Sequence, residues 1–267
     1  MRVRLVTDSG KTKRMKRIFR GDGKTVIVPM DHGATMGPVK GLVDMQETVN
    51  KIIDGGVDGL VIHKGIASGV DTGRAGLIVH LNASTDLGPD PNRKVLVCSV
   101  EEALRIGADA VSIHINVGAE TEAEMLSDLG MTVDVCNDFG IPLLAMMYPR
   151  GPKITSGHDP DLVAHVARLG AELGADIVKT NYTGSINSFE KIVKSCPVPV
   201  IIAGGSRVET MKDFLGMVSD SMKSGGAGVS IGRNVFQNDN PTLMVRALSS
   251  IVHLNATVTQ ALQILGG

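Results

Sequence analysis

The stretch Gly174-Ala175-Asp176-Ile177-Val178-Lys179-Thr180-Asn181 contains the repeated feature that decides the fold. A glycine ends a helix, a turn of small residues follows, and an apolar strand then runs into polar residues. Similar joints between helix and strand recur at 55–59, 107–110 and 225–228. Repeated helix-to-strand joints along a whole chain are typical of an α/β protein with a parallel sheet.

Short apolar runs alternate with helix-like stretches throughout the sequence. The predicted strands are 25–30, 59–63, 77–81, 110–115, 142–148, 177–181, 200–203 and 228–231. The predicted helices include 45–53, 101–106, 120–139, 160–173, 187–193, 208–223 and 241–265. A further apolar run at 95–97 is either a small strand or the entry to the next helix. Eight strand–helix units in 267 residues predict a single (β/α)8 barrel domain over 1–267, with a doubly wound open sheet as the alternative.

The composition argues against several classes of function. A net charge of −1 is unfavourable for general nucleic-acid binding and for electrostatic attachment to a membrane. No run approaches the roughly 18 apolar residues of a membrane span, and the N-terminus has no apolar leader segment. Three widely spaced cysteines indicate reduced, buried thiols. We therefore expect a cytoplasmic protein without nucleic-acid or membrane partners.

Residues 1–23 precede the first predicted strand and contain the basic run Lys11-Thr12-Lys13-Arg14-Met15-Lys16-Arg17. This run predicts a basic N-terminal helix. The favoured interpretation is a helix face exposed to solvent, and a phosphate or subunit contact is the alternative.

Reactive side chains occur where the predicted strands end, which is where barrel enzymes place their sites. Lys179 lies in an apolar strand, where desolvation favours a neutral amine able to attack a carbonyl; it could instead reach the rim and pair with a carboxylate. Asp31 could move protons, or it could simply bond its own turn. Tyr148 could donate a proton, or it could pack on Pro149 at the rim.

Glycines end the last two predicted strands, at Gly204-Gly205-Ser206 and at Gly232-Arg233. Loops at these positions of a barrel often bind phosphate through backbone N–H groups, and Arg233 would add a charged contact; plain turns are the alternative. Other polar residues could line the same pocket: His32, His63, His80, His114 and Lys64. No histidine or cysteine spacing supports a metal site, so none is expected.

Five motifs at successive strand ends, taken together, resemble the archaeal class I aldolase family, which groups with deoxyribose-phosphate aldolase-like barrels. They are Val-Pro-Met-Asp-His-Gly (28–33), Met-Met-Tyr-Pro-Arg-Gly (146–151), Ile-Val-Lys-Thr-Asn-Tyr-Thr-Gly (177–184), Ala-Gly-Gly-Ser (203–206) and Ile-Gly-Arg-Asn-Val-Phe-Gln (231–237). The likeness runs from about Lys24 to Asn255.

The resemblance implies that Lys179 forms a Schiff base, Tyr148 donates a proton and Asp31 accepts one. It also implies the substrate contacts Asp31, His32, Gly33, Ala34, Thr35, Tyr148, Pro149, Arg150, Lys179, Gly204, Gly205, Gly232 and Arg233.

The family's chemistry implies a transaldol reaction in which a phosphorylated keto-sugar is cleaved and its enamine is transferred to L-aspartate semialdehyde. This would be an early step towards aromatic amino acids, with no cofactor or metal. The resemblance also implies a homo-oligomer, a decamer in relatives. A class I fructose-1,6-bisphosphate aldolase is the alternative enzyme, and a non-catalytic sugar-phosphate-binding barrel is the alternative from another class.

Overall fold

A computed structural model of the protein describes residues 9–205 and 210–266. Its strands are β1 Thr25–Pro29, β2 Gly59–His63, β3 Gly76–His80, β4 Asn82–Ala83, β5 Val95–Leu96, β6 Ala110–Val117, β7 Leu143–Pro149, β8 Ile177–Thr180, β9 Val200–Ala203 and β10 Gly228–Ser230. Its helices are α1 Ser9–Ile18, α2 His32–Met36, α3 Met45–Gly55, α4 Lys64–Ala67, α5 Val100–Ile106, α6 Glu122–Phe139, α7 Pro160–Glu172, α8 Ile186–Ser195, α9 Met211–Lys223, α10 Arg233–Phe236, α11 Pro241–Leu254 and α12 Val258–Ile264.

Eight parallel strands close into a barrel in the order β1-β2-β3-β6-β7-β8-β9-β10. The predicted (β/α)8 barrel is confirmed, and the open-sheet alternative is wrong because β1 pairs with both β2 and β10. The first two residues of the apolar run at 95–97 form β5, which pairs with β4 in a small antiparallel hairpin outside the barrel. No helix in the described ranges is long and apolar enough to cross a bilayer.

Two helix predictions need correction. The predicted helix 241–265 is divided into α11 and α12, because Asn255 adopts a left-handed backbone conformation with φ of 53° and ends α11. The first residues of the predicted helix 208–223 lie outside the described residues, and α9 is described from Met211.

Alternate residues of each barrel strand point into the barrel. The inward residues are apolar near the N-terminal ends of the strands and include polar groups near the C-terminal ends. At the N-terminal end, a buried cluster includes Ile27, Leu144 and Ile177 together with Ile18 from α1. Two residues further along β8 the same face carries Lys179. The strand period of two therefore directs the polar groups into the C-terminal end of the barrel.

The basic helix α1 closes the N-terminal end of the barrel, and the prediction of a solvent-exposed basic face is wrong for Lys11, whereas Arg17 is exposed as predicted. Lys11 is 6% exposed, and its amine lies 2.9 Å from an oxygen of Asp176. Arg17 pairs with Asp109 at 2.7 Å. Just after the helix, Arg20 pairs with Asp58.

These three aspartates occupy equivalent positions in three of the repeated helix-to-strand joints. One carboxylate oxygen of each accepts a hydrogen bond from a backbone N–H in the first two residues of a neighbouring strand: Val26 for Asp58, Leu77 for Asp109 and Leu143 for Asp176. Each aspartate therefore links a strand start to a basic residue of the N-terminal segment, which explains the physical basis of the repeat.

Replacing Lys11 with methionine is expected to lower the free energy of unfolding by about 2–3 kcal/mol, because Asp176 loses its charged hydrogen-bond partner in a largely buried site. Lys13→Met is the matched control, since Lys13 is exposed on the same helix. Urea denaturation of both variants tests the expectation. Equal stabilities would contradict it.

Candidate active site

A cavity of about 800 Å³ opens at the C-terminal end of the barrel. The predicted substrate-contact residues that line it are Asp31, His32, Thr35, Tyr148, Pro149, Arg150, Lys179, Gly204, Gly205, Gly232 and Arg233. Gly33 and Ala34 do not line the cavity, although both lie in α2 between residues that do. Successive residues of a helical turn point in different directions, so not every residue of the motif 31–35 can face the cavity.

Lys179 is held inside the barrel by its register on β8. It lies opposite Met146 of β7, and its side chain is buried, with 6% of the residue exposed. The amine lies 4.0 Å from the Met146 sulfur. Within the described part of the chain, no carboxylate lies close enough to form an ion pair with it. The alternative of a rim lysine paired with a carboxylate is therefore wrong.

Tyr148 follows Met146 by two residues on β7, so its side chain lies on the same inward face of the strand as Met146, the residue opposite Lys179. The residue is 5% exposed. The Arg150 guanidinium lies over the ring at 4.7 Å from its centroid, and the His114 ring makes an edge contact at 5.0 Å. Tyr148 therefore lines the cavity and is not a rim residue.

Asp31 follows β1, and its side chain makes no capping hydrogen bond to α2. The alternative that Asp31 only bonds the backbone of its own turn is therefore wrong. Its carboxylate oxygens lie 3.4 Å from His32 Nδ1 and 3.7 Å from His80 Nε2. Burial is the largest single influence and raises the pKa of Asp31. The combined fields of His80, His32, Lys179 and His63 outweigh it and lower the pKa to about 2.

The histidines around Asp31 remain neutral near neutral pH. Burial lowers the pKa of His80 to about 4, although the Asp31 charge opposes the shift. The ring is fixed through Nδ1, which lies 2.7 Å from the Ser112 hydroxyl. His80 therefore gains its charge only in acid, and burial favours the neutral form of His32 and His63 as well.

Not all polar residues at the predicted strand ends reach the cavity. His32 and His114 line it, whereas His63 and His80 do not. Lys64 points elsewhere and pairs with Glu102 at 3.0 Å, so its predicted place in the pocket is wrong. Across 9–205 and 210–266, no group of three histidine, cysteine or acidic side chains is arranged to hold a metal ion.

Gly204-Gly205 and Gly232-Arg233 line the cavity after β9 and β10. A Cβ at Gly232 would lie 2.7 Å from the Pro29 carbonyl oxygen, so only glycine fits there. Ser206 lies outside the described residues. Sequence reasoning missed Ser230, whose buried hydroxyl lines this part of the cavity and has no hydrogen-bond partner in the described protein. The strand period could have found it, because Ser230 precedes Gly232 by two residues.

Asp86 and Lys94 also line the cavity and were missed. Both belong to the segment between β4 and β5 and not to a strand end. The rule that sites form at strand ends therefore gave no signal for them.

Comparisons with known proteins place the chain in a family. A family model described as DeoC/LacD family aldolase matches residues 25–238. The 2-amino-3,7-dideoxy-D-threo-hept-6-ulosonate synthase 1 of Archaeoglobus fulgidus is 46% identical over 261 residues, covering 95% of each chain. The 2-amino-4,5-dihydroxy-6-oxo-7-(phosphonooxy)heptanoate synthase of Streptomyces griseus is 45% identical over 251 residues, covering 92% of each chain.

A solved structure shares the whole architecture. An archaeal fructose-1,6-bisphosphate aldolase, with its catalytic lysine covalently bound to the carbinolamine intermediate of its substrate, superposes with a TM-score of 0.86 at 35% identity. The match covers 91% of this chain and 99% of the other. The chain therefore belongs to the DeoC/LacD family of aldolases.

Proposed function

We propose that this enzyme is a Schiff-base transaldolase that makes 2-amino-3,7-dideoxy-D-threo-hept-6-ulosonate, an early precursor of aromatic amino acids. Its donor would be 1-deoxy-D-threo-hexo-2,5-diulose 6-phosphate (6-deoxy-5-ketofructose 1-phosphate) and its acceptor L-aspartate semialdehyde. The observation that carries the proposal is a buried, unpaired Lys179 amine in a cavity that Tyr148 and the ionised Asp31 also line.

The products named for the two synthase relatives support this choice of reaction. Both are seven-carbon chains with an amino group at C2 and a ketone at C6. An aldol disconnection next to that ketone divides each product between C4 and C5. One half is then a three-carbon ketone nucleophile, and the other is a four-carbon amino-acid aldehyde. A lysine amine is the group that activates such a ketone without a metal.

The proposed chemistry begins when the Lys179 amine attacks the donor ketone and loses water to form an iminium ion. A base removes the proton of the hydroxyl group on the β carbon, the carbon–carbon bond breaks, and the phosphorylated three-carbon aldehyde leaves. The electron pair of that bond neutralises the iminium and gives an enamine on Lys179.

The enamine then attacks the aldehyde carbon of the acceptor, and the new alkoxide takes a proton. Water hydrolyses the iminium, which frees the seven-carbon product and restores the amine. Asp31 suits the role of proton acceptor because it stays ionised, and Tyr148 suits the role of donor because its phenol lines the same cavity.

The likeness to an archaeal fructose-1,6-bisphosphate aldolase supports a second candidate, cleavage of that bisphosphate. Its 35% identity is lower than the 44–46% of the synthase relatives, which favours the transaldol reaction. The decamer and the absence of a cofactor, which the resemblance implies, and the cytoplasmic location, which the composition indicates, remain predictions.

Comparing the two sugar phosphates tests the proposed function directly. Purified enzyme with the diulose phosphate and L-aspartate semialdehyde is expected to form the seven-carbon amino-ketoacid, measured by mass spectrometry. Fructose 1,6-bisphosphate is expected to be cleaved at least about tenfold less efficiently in kcat/KM, because substrate choice depends on differential binding in the transition state. Faster cleavage of the bisphosphate, with no transfer product, would overturn the proposal.

A further inference from the structure

The barrel departs from simple strand–helix alternation after β3. The segment 84–94, between β4 and β5, lies at the mouth of the cavity and is fixed to neighbouring loops. The Asp86 N–H donates to the Thr35 carbonyl at 3.1 Å, and the Thr35 hydroxyl donates to the Ser84 carbonyl at the same distance. The Asn116 amide donates to the Asn92 carbonyl at 2.8 Å. These hydrogen bonds therefore fix the segment 84–94 at the mouth of the cavity.

Lys94 is the last residue of this segment and lines the cavity. The amine donates a short hydrogen bond to the Ser84 hydroxyl and another, of 3.1 Å, to the Pro91 carbonyl. Both partners are neutral, so the amine of this cavity-lining residue is positioned but its charge is not neutralised by a contact. Burial lowers the pKa of Lys94, and the charge of Arg150 lowers it further, whereas Asp31, Asp86 and Asp90 oppose the shift.

Arg150 is a second cation on the same side of the cavity. Its guanidinium stacks on the Tyr148 ring, and within the described residues neither Arg150 nor Lys94 has a carboxylate within ion-pair distance. Both charges act on His114, where burial is the main cause of a strongly lowered pKa and Lys94 and Arg150 add to it. Two cations close together without a partner anion are electrostatically unfavourable, and a bound anion would relieve this repulsion.

The barrel order separates this cationic pair from the glycine-rich end of the cavity. Arg150 follows β7, whereas Gly204-Gly205 and Gly232-Arg233 follow β9 and β10. Lys179 lies on β8, between the two groups. A ligand joined to Lys179 can therefore reach an anion site on either side of the reacting carbon.

We propose that Lys94 and Arg150 bind the carboxylate of the amino-acid aldehyde acceptor, and that Asp86 faces its ammonium group. This inference rests on the proposed function and adds the residues that select the acceptor. Lys94 and Asp86 lie on one fixed segment and interact electrostatically, so they present charges of opposite sign to the cavity. An α-amino acid carries the complementary pair of charges on adjacent carbons, close to its reacting aldehyde.

The donor's phosphate is the other anion that this pair of cations could bind, because it leaves on the aldehyde fragment whose place the acceptor takes. Asp86 argues against it, because a carboxylate beside a phosphate group is repulsive. The variants and acceptors below therefore separate a bound amino acid from a bound phosphate.

Three aldehydes probe the charges one at a time. L-Aspartate semialdehyde has both the carboxylate and the ammonium group, succinate semialdehyde lacks the ammonium group, and propanal lacks both. Lys94→Met is expected to lower kcat/KM by about 10- to 100-fold for the first two, mainly through KM, and to leave propanal unchanged. Asp86→Asn is expected to lower kcat/KM for L-aspartate semialdehyde alone, by about tenfold, and so to reduce its preference over succinate semialdehyde.

Lys153→Met is the matched control, because Lys153 is exposed on a neighbouring loop and does not line the cavity. It is expected to match the wild type with all three aldehydes. Lys94→Arg keeps the charge and should retain most of the preference for carboxylate acceptors, which shows whether loss of charge or loss of the loop's hydrogen bonds causes the Lys94→Met defect.

Borohydride trapping of the donor separates this inference from the proposed function. All these variants are expected to form the donor adduct as the wild type does. If wild-type enzyme forms no adduct, the proposed function fails. If the adduct forms but Lys94→Met raises KM for the sugar phosphate and leaves the acceptors unaffected, the cations bind phosphate and this inference is overturned.

Discussion

Replacing Lys179 with methionine is expected to reduce the aldol transfer on the order of 10⁵-fold, the scale seen when a covalent nucleophile is removed from an enzyme. Methionine has a similar length and tolerates an apolar environment, and the Lys179 side chain already lies against Met146. The substitution therefore removes the amine without leaving a large cavity. Thermal unfolding should show a melting temperature equal to or above that of the wild type, because an unpaired buried lysine is costly.

Covalent trapping measures the same role directly. Wild-type enzyme reduced with borohydride in the presence of donor is expected to gain the mass of the bound fragment on the peptide containing Lys179, and Lys179→Met should gain none. Lys64→Met is a suitable control, because Lys64 also follows a barrel strand but pairs with Glu102 away from the cavity. A donor adduct on any other lysine would rule out Lys179 as the nucleophile.

The fold could be predicted because its signals are local and repeated. A glycine at the repeated helix-to-strand joints, a small turn and a continuous apolar strand are determined by backbone conformation and burial within a few residues. The period of two along a strand then places Lys179 and Tyr148 inside the barrel. The main groups of the candidate site follow from these two rules, since barrel sites form at the C-terminal ends of strands.

The parts that could not be predicted depend on contacts between distant segments. Lys11 and Asp176 are 165 positions apart, and no local pattern shows that they pair. Lys64 and Lys94 illustrate the same limit within the site. Lys64 follows a strand but turns towards Glu102, whereas Lys94 lies in an irregular segment that folds back over the cavity. In both cases the side chain's direction is decided by tertiary packing.

Replacing Asp31 with asparagine is expected to lower kcat for transfer by about 10²- to 10⁴-fold, the usual contribution of a general base. The amide has the same shape but cannot accept a proton at neutral pH, whereas the pKa of about 2 keeps the Asp31 carboxylate ionised there. The amine of Lys179 is untouched, so the iminium with the donor should still form. The step that is blocked is the cleavage of the carbon–carbon bond.

Trapping distinguishes this blocked step from a general loss of function. Borohydride should attach the mass of the entire donor sugar to Asp31→Asn, because cleavage is stopped, whereas the wild-type adducts should include the three-carbon fragment. Asp90→Asn is the control, since Asp90 belongs to the segment at the cavity mouth but does not line the cavity. If Asp31→Asn cleaves the donor within a few-fold of the wild-type rate, another group must be the base. His32, 3.4 Å from the carboxylate and itself lining the cavity, would be the first to examine.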